Sequence, residues 1–193
     1  MLLSSPPCSA MPKRSSRRRS KAPNSRTLSV QRSPGGQGWV LVHPRCVRDR
    51  ADDLDEVRQM IDAGEADIAI DELRWLLHDC SEMIEAHYLL GKLAVEVDTD
   101  ISLARGHFGF GFQAGARALR RAKNPTPVPA LHPANRAFYD SGRGLAWSLH
   151  ALDKSAMALE VLQQLLAFDP ADPLGLAQWV DEIGSQGLPI VEL

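Results

Sequence analysis

The sequence predicts an all-α fold: an α-solenoid of about three helix–turn–helix units, closed by a C-terminal capping helix and preceded by a disordered basic arm. Two observations carry this. From residue 50 onward, apolar residues recur at the i, i+3, i+4, i+7 spacing of a single helix face, in stretches separated by polar or Gly/Pro breaks. Small residues also return at a fixed distance. From Ala69 to Ala104 is 35 residues, and from Ala104 to Ala158 is 54, one period plus an insert of about twenty.

The 193 residues suit about one domain, large enough to hide roughly 70% of its unfolded surface. No apolar run approaches the ~18 residues of a membrane helix. Charge divides the chain. Residues 1–48 hold ten Lys or Arg and no acid; the rest holds twelve basic and all twenty-four acidic residues. Cys8, Cys46 and Cys80 are odd in number and scattered, which predicts no disulfide framework, a reducing compartment and a cytoplasmic location.

Residues 1–36 form the arm. They are rich in Ser, Arg, Pro and Gly and carry no periodic apolar face. Such a segment cannot offset its chain entropy, so it is predicted to be disordered and dispensable for folding. Arg17, Arg18 and Arg19 are its candidate nucleic-acid contacts, though no aromatic is interleaved for stacking. An organelle transit peptide is the competing reading, opposed by the scattered prolines. Met11 is an alternative start.

Residues 37–193 form the helical domain. Trp39–Val42 is a short β-prone run between glycines and Pro44. With no partner strand in view, it is expected to lie extended along the first helix pair. His43 and Cys46 are spaced H-x-x-C, but zinc needs about four such ligands, so no metal site is predicted.

The first unit, about 50–83, pairs DLDEVRQMIDAG with EADIAIDELRWLLHDC. Asp52 and Asp53 suit a helix start, and Gly64 suits the left-handed position after a helix. The acidic residues there solvate a helix instead of pairing across a cleft. The second unit, about 84–116, carries Tyr88, Leu90, Gly91 and Ala94 on its first helix and Ala104, Phe108 and Phe112 on its second. Its Gly109, Gly111 and Gly115 give G-x-G-x-x-x-G, which is not the dinucleotide spacing and follows no strand. A helix weakened by roughly 1 kcal/mol per Gly, with a close neighbour, is expected. The insert, about 117–138, has four prolines and reads as a tolerated connector, with helix resuming near Ala134. The third unit, about 139–173, sets Leu145, Trp147, Leu149 and Leu152 before the Asp153–Lys154 break and Ala158, Leu159, Leu162, Leu165 and Leu166 after it. A cap, about 174–184, buries Leu176, Trp179, Val180 and Ile183, and Leu188–Val191 is expected to fold back on it.

The helix pairs with Gly91, Ala146 and Ala158 at small-residue positions resemble tetratricopeptide repeats over about residues 50–175. The large aromatic expected early in each first helix is absent or shifted, with His87 and Gly142 standing there. The resemblance implies a right-handed superhelix whose inner groove is lined by first helices, and a scaffold that is not an enzyme and needs no cofactor. Carried across residue by residue, it puts Arg58, Tyr88, Lys92, Glu96, Arg143, Trp147 and His150 in a partner-binding groove. Arg58, Lys92 and Arg143 would grip an acidic element of a peptide. The expected function is a protein- or peptide-binding adaptor. The alternatives are a nucleic-acid-associated protein tethered by its arm, or a non-catalytic accessory subunit of an enzyme complex.

Overall fold

A computed structural model describes residues 27–185. Its body is helical. A hairpin of β1 (Ser29–Arg32) and β2 (Trp39–Val42) leads into the short α1 (Arg45–Asp49). Then follow α2 (Ala51–Asp62), α3 (Ala66–Asp79), α4 (Ile84–Glu96), α5 (Ile101–Arg121), α6 (Pro133–Ala151), α7 (Ser155–Phe168) and α8 (Leu176–Ser185). Each helix from α2 to α8 packs on its neighbour in sequence, and α4 also packs on α6, so the helices stack pairwise as in a solenoid.

The breaks between helices are local chemistry. Gly64 ends α2 and makes the turn into α3 at φ +79°, where a side chain would be strained. Asp100 caps α5, its carboxylate accepting from the Leu103 amide at 2.9 Å. Asp52 and Asp53 lie in the first turn of α2 and face the positive end of the helix dipole, while Arg50 occupies the cap. Two apolar clusters run through the stack. One joins α2–α4 through Leu54, Val57, Leu73, Leu76, Met83 and Leu90. The other joins α5–α8 through Phe108, Phe112, Phe138, Leu162, Leu165 and Ile183. Tyr88 packs against both.

The Gly–Phe run is one uninterrupted helix, not a phosphate loop. A Cβ at Gly111 would stand 2.6 Å from the Ser141 hydroxyl, and one at Gly115 would enter the Phe138 ring. These glycines let α5 and α6 approach closely, which offsets their helix-weakening cost.

Two expectations are corrected by the N-terminal part. Trp39–Val42 does have a partner strand: Ser29–Arg32 pairs with it antiparallel, Val30 opposite Leu41. The stretch 27–36 therefore does not belong to a disordered arm, and Leu28 is buried in the core. Hydrophobic count alone hid this, because a four-residue strand needs one buried leucine and a partner, not a periodic face. Residues 1–26, with Arg17, Arg18 and Arg19, lie outside the described residues, as does Leu188–Val191.

The insert is no loose connector. Val128 is fully buried and its amide donates to the Phe168 carbonyl at 2.7 Å. Ala130 N–H donates to Asp169 at 2.8 Å, and the Tyr139 hydroxyl donates to the Val128 carbonyl at 2.7 Å. Trp39 N–H donates to the Pro127 carbonyl at 2.8 Å, tying the hairpin to this strap. The Thr126–Pro127 peptide is cis. Asn135 closes the joint: it is fully buried, accepts from Leu41 N–H at 2.9 Å, and donates to the carbonyls of Trp39 and Pro129 at 3.1 and 2.9 Å.

Finally, Cys46 and Cys80 are disulfide-bonded, which corrects the expectation of unpaired thiols and removes the argument for a reducing compartment that rested on it. The bond ties α1 to the end of α3. Sequence distance made the pair look scattered; the return of α3 alongside α1 brings it together.

Candidate functional site

The helix pairs leave one face on which α4, α6 and α8 present side chains around a recess of about 360 Å³. Its lining comprises Tyr88, Lys92, Val95 and Glu96 from α4, Asp140, Arg143, Gly144 and Trp147 from α6, Phe108 from α5 and Trp179 from α8. The floor is built by close approach. Phe108 is held between Gly91 and Gly144, where added Cβ atoms would stand 2.6 and 2.8 Å from its ring.

The helical register produces this cluster. Tyr88, Lys92 and Glu96 follow one another at i, i+4, i+8 along α4, and Asp140, Arg143 and Trp147 at i, i+3, i+7 along α6. Five of the seven sequence-predicted groove residues therefore meet here: Tyr88, Lys92, Glu96, Arg143 and Trp147. Trp147 is 39% exposed, so it is not a core residue. Tyr88 is half-buried and its ring stands 6.0 Å from Phe108.

The other two go elsewhere. Arg58 lines an adjoining cavity of about 520 Å³ with His43, Glu85 and Arg136, which shares Tyr88 and Asp140 with the first recess. Its guanidinium is taken by Asp55 and Glu85. His150 sits at the α6–α7 turn, where its Nδ1 meets the Ser155 hydroxyl at 3.0 Å, and it lines none of the recesses on this face. A third, smaller cavity of about 190 Å³ continues past Arg143 and Trp179 along α8 to Glu182.

Sequence reasoning missed Asp140, Trp179, Val95 and Phe108 as wall and floor. Asp140 was recoverable, because it lies one turn before Arg143 on the same helix. Trp179 was assigned to the buried side of α8; it is half-buried there and reaches the recess edge.

The electrostatics are not those of an anion clamp. Lys92 pairs with Glu96 at 3.7 Å, and Arg143 and Arg136 stand 4.0 and 3.5 Å from Asp140. Every cation expected to grip an acidic peptide already faces a carboxylate. Burial pushes the Asp140 carboxyl above its usual range, opposed by Arg136 and Arg143. Burial likewise raises the Tyr88 phenol, with Asp140 adding to the effect.

The residues lining the recess include no Ser, Thr, Cys or His. His43 and Cys46 are spent on structure: the His43 ring bonds the Ala134 carbonyl at 2.9 Å, and Cys46 is in the disulfide. Among the described residues no group of three or more His, Cys, Asp or Glu is placed to hold a metal ion, and no helix is long and apolar enough to cross a membrane. A second polar cluster lies between α4 and α5. His87 Nε2 donates to the Ser81 carbonyl at 3.2 Å, its Nδ1 meets His107 Nδ1 at 3.4 Å, and its ring stacks on Phe110 at 4.2 Å.

Comparison with known proteins adds no relative. No family model, curated protein or solved structure matches this chain. The reading of the site rests on its own geometry.

Proposed function

We propose that the chain is a non-catalytic adaptor of tetratricopeptide-like architecture, and that it binds a peptide segment of a protein partner along the face formed by α4, α6 and α8. One observation carries the reading: Tyr88, Trp147 and Trp179 surround one open recess with charged groups at its rim. Aromatic anchors ringed by polar groups are the usual energetic centre of an interface. The adjoining cavities lengthen the surface toward Arg58 at one end and Glu182 at the other, enough for a segment rather than a single side chain. A role as accessory subunit of an enzyme complex is one form of the same activity. The nucleic-acid alternative rests on Arg17, Arg18 and Arg19; the stretch 51–85, with twelve carboxylates against two arginines, would repel phosphates.

The test is a parallel capture with the full chain and its Trp147→Ala/Trp179→Ala variant, with folding checked by circular dichroism. The reading expects a protein retained by the wild type and lost from the variant. Recovery of the same proteins in equal amounts by both would reject this face as the binding surface.

A further inference from the structure

We propose that the segment bound in this recess is basic, and that one of its arginine side chains lies among Tyr88, Trp147 and Trp179 with its guanidinium on the Asp140 carboxylate. The inference rests on the groove reading and specifies its ligand.

The geometry supplies three reasons. Asp140 is the carboxylate at the junction of the two larger cavities, lining both. Its side chain is only 20% exposed, yet its nearest cations are one long contact each, 3.5 Å to Arg136 and 4.0 Å to Arg143. Those arginines extend outward from the same helix, 72% and 46% exposed. Neither ion pair is a close hydrogen bond, so a donor-only group entering the recess would bond this largely buried carboxylate more closely than its own helix does.

The walls select the kind of donor. A guanidinium meets a carboxylate with a two-pronged fork and stacks on indole and phenol faces, whereas an ammonium is a compact, strongly hydrated point charge. The neighbouring cavity adds a buried polar atom without a partner, the His43 Nδ1, whose ring bonds the Ala134 carbonyl through Nε2.

The surroundings favour the same sign of charge. The cavity toward Arg58 also holds Glu85, and α2 and α3 expose Asp52, Glu56, Asp62 and Asp67. An acidic ligand would have to displace Asp55 and Glu85 from Arg58, and Glu96 from Lys92. A basic one meets open carboxylates along its approach, which speeds encounter and orients it.

The experiment is fluorescence anisotropy on the full chain at 0.15 M salt. It uses fluorescein-labelled Ala-Arg-Ala-Arg-Ala and the same peptide with citrulline, which keeps the arginine shape without its charge. The arginine peptide is expected to bind at least tenfold more tightly than the citrulline peptide. Asp140→Asn and Trp147→Ala should each weaken it at least tenfold. Asp71→Asn on α3, which lines none of the three cavities, should change it less than twofold. Equal affinity for the two peptides, no measurable binding of the arginine peptide, or equal losses at Asp71 and Asp140 would each overturn the inference. If a partner captured through Trp147 and Trp179 is not displaced by the arginine peptide, the ligand chemistry is wrong while the groove stands. If capture ignores Trp147 and Trp179, the groove itself falls.

Discussion

Replacing Asn135 with Ala should loosen the hairpin, the strap and α6 from one another. Asn135 is fully buried and makes three hydrogen bonds, to Leu41 N–H and to the carbonyls of Trp39 and Pro129. Truncation leaves one amide and two carbonyls short of a partner in the interior. A typical bond contributes about 1 kcal/mol net, and an orphaned buried group costs about 1–3 kcal/mol. Some of the stranded groups will relax toward water at the edge of the joint, so the expected total is about 3–5 kcal/mol. For a chain this size that corresponds to a fall in Tm of roughly 10 °C or more. Urea unfolding followed by circular dichroism gives the free energy, and hydrogen exchange at the Leu41 amide reports the joint directly. Asn135→Asp should be no milder at neutral pH, because its second carboxylate oxygen would face the Trp39 and Pro129 carbonyls in the interior. If Asn135→Ala unfolds within ~1 kcal/mol of the wild type and the Leu41 amide stays protected, the strap is not held as described.

Gly91→Leu should cost about 1–3 kcal/mol by overpacking, since even a Cβ at Gly91 would stand 2.6 Å from the Phe108 ring; Ala158→Leu, at a fully buried position, should do the same, and wild-type midpoints for both would refute the helix crossings. Burial, with repulsion from His107, holds the His87 pKa down to about 4 against 6.5. The folded value lies below the unfolded one, so this stability is complete above about pH 6.5 and is lost as pH falls toward 4, by about 2 kcal/mol after allowing for partial exposure. His87→Leu should flatten that part of the stability–pH curve; an unchanged slope would show that the ring is not buried neutral. Reducing Cys46–Cys80, which closes a separation of 34 residues, should lower stability by about 4 kcal/mol in a chain-entropy estimate, and equal urea midpoints with and without reductant would contradict it. Deleting residues through 36 should destabilise the domain, because it removes β1 and buried Leu28; an unchanged Tm would restore the whole stretch to a dispensable arm.

What the sequence disclosed follows from periodicity. The helices and their breaks were legible because Leu73, Leu76, Leu162 and Leu165 repeat on one face and Gly64 marks a turn. The recess-lining residues on α4 and α6 share a helix face for the same reason, since one helix face keeps its members together. What stayed hidden depends on contacts between distant segments. Leu28 and Val128 have no periodic neighbours and Asn135 is polar, and each is defined by a partner 54 to 94 residues away or by a strap folded over the stack. The ion pairs also escaped. Arg58 looked available until Glu85, 27 residues later, was brought beside it.

Site-specific photocrosslinking reports what the recess touches. A benzophenone amino acid replaces Lys92 or Trp147 in the recess, or Met157 on α7, which is exposed away from it. After irradiation in an extract, the account predicts one shared crosslinked protein from positions 92 and 147, absent from position 157 and diminished by excess Ala-Arg-Ala-Arg-Ala. Crosslinks that form from position 157 and not from 92 or 147 would contradict it.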